Sequence, residues 1–110
     1  MIFLDTSVLI EAVTSRAGSA VRNRLRGLIA SGERIAVSAL LQEAWFPLSE
    51  AVVFGPDEAR VSATVCRSVS RARGREVDLA IAACAIVNNA FVWTLNSKDF
   101  ADIPNLRLLA

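Results

Sequence analysis

Met1-Ile2-Phe3-Leu4-Asp5-Thr6-Ser7-Val8-Leu9-Ile10 begins the chain and decides its fold. Ile2 to Leu4 is wholly apolar, as a strand covered on both faces must be. Asp5 ends that run, Thr6 and Ser7 suit a helix start, and Val8-Leu9-Ile10 is apolar again. A buried strand, a tight turn and a helix account for this order. A bare carboxylate directly after a buried strand is costly unless it is paired or solvated. Asp5 read alone also fits the helix N-cap, but Thr6 and Ser7 can do that job, which leaves Asp5 open to another use.

The same alternation continues outward. Val21, Leu25, Leu28 and Ile29 recur at helical spacing with Arg22, Arg24 and Arg26 between them, and Gly32 stands where such a helix would end. Arg34 to Val37 reads as a second strand, and Ser38 as the N-cap of a helix carrying Leu40, Leu41, Ala44 and Trp45 until Pro47 interrupts it. Gly55-Pro56-Asp57-Glu58 marks a helix start, with proline and two acids in the first turn and Val61, Val65 and Val69 as its buried stripe. A charged link over 71–76 leads to an alanine-rich helix from Val77 to Val87, stopped by Asn88-Asn89. Phe91-Val92-Trp93 reads as a strand, 96–102 as a polar turn, and Leu106 to Leu109 as a closing strand. Strands alternating with helices predict an α/β fold in three layers, α/β/α, around a mainly parallel sheet of four to five strands.

With 110 residues, 54% of them hydrophobic, the chain is expected to form one domain over residues 1–110. Its formal net charge of +1 does not by itself announce a nucleic-acid partner. Of 12 basic residues, 11 are arginine and only Lys98 is lysine, which suits two-pronged phosphate contacts or reflects codon usage. There is no histidine, which excludes Ser-His-Asp and Cys-His nucleophile pairs and histidine-ligated zinc. Cys66 and Cys84 lie among apolar residues and read as reduced core thiols, a disulfide being the alternative. No targeting segment and no apolar run long enough to span a membrane is visible, so the expected location is the cytoplasm.

Four acids then draw together. In open α/β sheets ligands bind beyond the carboxyl ends of the strands. Asp5 sits at such an end, Glu43 lies in the helix expected after the second strand, Asp78 starts an apolar helix, and Asp99 follows the Phe91–Trp93 strand by a short turn. Read alone, each of the last three also fits a cap, a turn or a solvated surface. Together they would repel one another without a counter-charge. Oxygen-only ligands favour Mg²⁺ or Mn²⁺ over zinc.

On these residues the sequence resembles the PIN-domain family, most closely the VapC-like toxin ribonucleases of type II toxin–antitoxin systems. The likeness rests on residues 1–10, on Val37-Ser38-Ala39-Leu40-Leu41-Gln42-Glu43, and on Asp78-Leu79-Ala80-Ile81-Ala82-Ala83 followed by Trp93-Thr94-Leu95-Asn96-Ser97-Lys98-Asp99-Phe100. These blocks are collinear and span nearly the whole chain. The resemblance implies a PIN-like sheet, with Asp5, Glu43, Asp78 and Asp99 as the catalytic metal-binding acids. It implies supporting roles for Ser7, Thr94 and Asn96, with Asp102 as an understudy for Asp99. The stretch between Glu43 and Asp78 is short for the family, with a usual helix pair reduced to one interrupted segment around Pro47 to Phe54. That region helps form the dimer and the antitoxin groove in relatives.

The activity expected is Mg²⁺-dependent endoribonuclease chemistry, in which metal-activated water hydrolyses an RNA phosphodiester. RNA is the expected substrate, a cognate antitoxin the expected protein partner and a homodimer an option, with no membrane involved. Arg71, Arg73 and Arg75 are candidate phosphate contacts or simply a solvated link. The alternative is a non-catalytic PIN-like protein-binding module. A haloacid-dehalogenase-like phosphatase would need an Asp where Ser7 stands, and a receiver domain would need acids ahead of the strand-end Asp.

Overall fold

The structure, a computed structural model, describes residues 1–14, 18–38, 50–52 and 54–110. In chain order these form β1 (Ile2–Leu4), α1 (Thr6–Thr14), α2 (Gly18–Ala30), β2 (Ile35–Ser38), β3 (Glu50–Val52), α3 (Pro56–Ser68), α4 (Glu76–Val87), β4 (Phe91–Trp93), a 3₁₀ turn (Ser97–Phe100) and β5 (Arg107–Leu108). The five strands make one sheet in the order β3-β2-β1-β4-β5, and every pairing is parallel.

Strand alternation divides the core. Ile2, Leu4, Val37 and Trp93 point to one face and pack with Val8, Leu9 and Leu25 from α1 and α2. Phe3, Ala36 and Val92 point to the other and pack with Val65, Leu79, Ile81, Ala82 and Ala85 from α3 and α4. Helices therefore cover both faces, as the uninterrupted apolar strands require. The expected α/β/α layering holds.

Several local expectations hold with it. Pro56 starts α3, and the Glu58 carboxylate accepts from the Gly55 N–H at 3.1 Å. Val65 is buried, with Val61 and Val69 packed beside it. Asn88 caps α4 by donating from Nδ2 to the Cys84 carbonyl at 2.7 Å, and Asn89 turns the chain with φ of 52°. Cys66 and Cys84 are free thiols.

Others differ. Ser38 is the last residue of β2; the helix it was expected to cap, with Leu40, Leu41, Ala44, Trp45 and Pro47, lies outside the described residues. Residues 50–52 form the edge strand β3 rather than part of an interrupted helical segment. Their alternative to helix comes from the ladder offered by β2, a non-local partner that a three-residue run cannot advertise. The polar turn contains a 3₁₀ turn over Ser97–Phe100, which Phe100 anchors by burying its ring.

Candidate functional site

The sheet order places β1 at the centre, with β2 and β3 to one side and β4 and β5 to the other. The chain thus reverses its direction of growth between β1 and β4. A crevice forms at such a switch point, beyond the carboxyl ends of the two strands. Asp5 follows β1 there and Thr94 follows β4.

The Asp5 N–H donates to the Trp93 carbonyl at 3.0 Å, so the ladder holds the backbone of Asp5 itself. Its side chain is buried, at 4% exposure. Oδ2 accepts from Ser7 Oγ at 2.7 Å and from Thr94 Oγ1 at 2.8 Å. Those hydroxyls are oriented in turn: Ser7 Oγ accepts from the Leu95 N–H and Thr94 Oγ1 from the Asn96 N–H, each at 3.0 Å. Each hydroxyl spends its one proton on Asp5 and receives one from the backbone after β4. Asp5 Oδ1 is buried and has no hydrogen-bond partner. A buried carboxylate oxygen left in that state calls for a cation or a donor from outside the chain.

Asp5 lines a cavity of about 430 Å³ together with Ser7, Glu11, Asp78, Asn96 and Asp99. Asp78 reaches it from the first turn of α4 and Asp99 from the 3₁₀ turn. Burial pushes the Asp78 carboxyl above its ordinary range, repulsion from Asp5 and Asp99 pushes it further, and Arg75 pulls it back. The acids therefore feel one another across the cavity.

Three of the four expected acids thus meet at one cavity, and Glu43 lies outside the described residues. Ser7 and Asn96 line it as well, whereas Thr94 stands behind Asp5 and orients it. Glu11 was not foreseen. Its signal was present, since Ser7 and Glu11 are four residues apart and share a face of α1. Arg71 and Arg73 are exposed on the link before α4. Arg75 is placed otherwise than a phosphate contact would be: its guanidinium is engaged by Asp102 and by the Asp99 and Arg71 carbonyls. Asp102 is occupied by that pairing.

The donors fit a hard divalent cation in kind, being carboxylates with one orphaned buried oxygen. Among the described residues, however, no three acidic or thiol side chains converge closely enough to hold a metal ion. Asp5, Asp78 and Asp99, with Asn96 beside them, are the groups that would have to do so.

The fold is shared with solved toxin–antitoxin complexes. No family model and no curated protein matches the chain. The chain resembles a structure described as VapBC2 from Rickettsia felis bound to a DNA fragment from their promoter, with 26% identity, a TM-score of 0.80, and coverage of 99% of this chain and 98% of that one. It also resembles FitAcB from Neisseria gonorrhoeae, with 20% identity, a TM-score of 0.78, and coverage of 100% and 97%. A third is a toxin–antitoxin complex from Klebsiella pneumoniae, with 21% identity, a TM-score of 0.70, and coverage of 96% and 95%.

These findings correct the assignment to VapC-like toxins of the PIN-domain family. No family model places the chain there. The similar structures are complexes named for both components, and such names fit the antitoxin as well as the toxin. The three-layer architecture stands, and a PIN-like identity does not follow from it. Among the described residues no helix is long and apolar enough to cross a membrane.

Proposed function

We propose that the chain is a divalent-metal-dependent endoribonuclease that works within a toxin–antitoxin system. One observation carries this reading: the buried, half-satisfied Asp5 carboxylate at the wall of a cavity that Asp78 and Asp99 also line. Mg²⁺ or Mn²⁺ held there would lower the pKa of a bound water and offset charge on the phosphodiester. Asp5, Asp78 and Asp99 would hold the ion, with Glu43 as the fourth acid proposed from the sequence.

The chain's own groups set the stage for that chemistry. Ser7 and Thr94 fix the orientation of Asp5 through Oδ2 and leave Oδ1 without a hydrogen-bond partner. Asn96 offers a neutral amide at the same wall, suited to a phosphate or ribose oxygen. The substrate would be single-stranded or looped RNA, whose backbone can be laid into a recessed acidic cavity. Arg71 and Arg73 are the exposed cations that would meet its phosphates. A cognate protein of the same system is the proposed partner, because the similar structures are complexes of that kind.

Asp5→Asn tests the site. RNA cleavage in Mg²⁺ or Mn²⁺ should fall on the order of 10²-fold or more, since the variant keeps the shape and loses the charge. Cleavage at the parental rate would sink the assignment. A second reading, a non-catalytic module acting only through its protein partner, draws on the similar structures, which are complexes. Calorimetric titration with Mn²⁺ separates the two, because the module should bind none.

A further inference from the structure

We propose that Arg75 is a positioning residue, a guanidinium clip that ties the turn carrying Asp99 to the helix start carrying Asp78 and so sets the spacing of these two acids. This rests on the reading of the cavity as a metal-dependent nuclease site. The chain holds these acids on separate elements: Asp78 is in the first turn of α4, and Asp99 is in the 3₁₀ turn after β4. Something must fix one against the other.

The Arg75 fork does this with both of its terminal nitrogens. Nη2 donates to the Asp99 carbonyl at 2.8 Å. Nη2 also donates to Asp102 Oδ1 at 2.6 Å, and Nη1 to Asp102 Oδ2 at 3.0 Å, a two-pronged pair. Nη1 reaches back to the Arg71 carbonyl at 2.9 Å, anchoring the link before α4 to the same group. Arg75 is itself the N-cap residue of α4, its carbonyl accepting from the Leu79 N–H at 2.9 Å. Asp78 therefore lies one turn away on the same helical face. The Arg75 side chain is 19% exposed, against 38% for Asp102, so the contact is partly withdrawn from water. The guanidinium also supplies positive charge beside Asp78 and Asp99, partly offsetting their repulsion. A lysine could supply the charge but not the planar fork that reaches a carboxylate and a backbone carbonyl together.

Four proteins decide the matter: the parent, Arg75→Lys, Arg75→Met and Asp102→Asn. Each is titrated with Mn²⁺ by calorimetry, assayed for kcat and KM on RNA, and melted thermally. Both Arg75 variants should bind Mn²⁺ about 10-fold more weakly, the low end of what losing an outer partner of a ligand costs. Their kcat should fall while KM for RNA stays near the parental value. Asp102→Asn, which keeps half the fork's partner, should lie between, and it carries the test if Arg75→Met does not fold. Parental Mn²⁺ affinity in folded Arg75→Lys or Arg75→Met overturns the clip. So does a raised KM with unchanged kcat, which would make Arg75 a substrate contact. A parent that binds no Mn²⁺ overturns the metal reading itself, an outcome visible before any variant is compared.

Discussion

Asp5 is nearly sealed from solvent, yet only one of its two oxygens has partners. Thr94 is the more informative of those partners, because it ties the end of β4 to the end of β1. Thr94→Val keeps the shape and removes a donor to the carboxylate. It should destabilise the fold by about 1.5–3 kcal/mol, the range for a hydrogen bond to a charged group. A urea midpoint unchanged from the parent would show that the contact is not maintained. Asp78 carries a different signature. Its carboxyl titrates above the ordinary 3.8, so the folded state disfavours the ionised form. That cost is absent well below 3.8 and fully present once pH exceeds the raised value. The melting temperature of Asp78→Asn relative to the parent should therefore climb as pH is raised from about 4 to 7. A flat or falling difference would mean that burial and the neighbouring acids do not raise the Asp78 carboxyl.

At the scale of elements, two glycines do what other residues would resist. Gly32 ends α2 with φ of +88°, its N–H donating to the Ile29 carbonyl at 3.0 Å, followed by Glu33 N–H to Leu28 at 3.1 Å. Gly32→Ala should cost about 1–2 kcal/mol for forcing a side chain into the left-handed region. Gly18 is buried at the start of α2, where a Cβ would collide with the Glu11 carbonyl oxygen. Gly18→Ala should push α2 away from α1 at the turn that bears Glu11, with a cost of about 1–3 kcal/mol. Guanidinium-chloride melts check both, and a neutral Gly18→Ala would show that the two helices have room to part. The Arg75 clip belongs to this scale too, since it joins α4 to the 3₁₀ turn rather than acting on a single atom.

At the scale of the whole molecule, the sheet separates two apolar clusters, and among the described residues the one under α3 and α4 is the larger. Leu79 is fully buried there, one residue after Asp78. Leu79→Ala should cost about 2–5 kcal/mol and loosen α4 as a unit, carrying Asp78 with it. Cys84 reports on the same cluster. It is 1% exposed, and burial pushes its thiol up to about 11. A thiol reagent at pH 8 should leave Cys84 unmodified in the folded protein and label it fully in denaturant. Labelling at equal rates in both states would show that the cluster opens freely.

The order of elements was legible without coordinates because its causes are local. Ile2–Leu4 and Phe91–Trp93 are apolar enough to demand cover on both faces, and Pro56, Gly32 and Asn88-Asn89 punctuate the helices through their own backbone preferences. Asp5 stood out by the same logic, as a charge at the end of a buried strand. The edge strand β3 was not legible, because its identity depends on β2 as a partner. The family assignment was not secured by collinear blocks of residues either, and the comparisons correct it. Glu11 and the true employment of Arg75 were decided only by the tertiary structure. A helix face and a guanidinium acquire a role from what the fold sets opposite them, and here the fold set a cavity before Glu11 and Asp102 before Arg75.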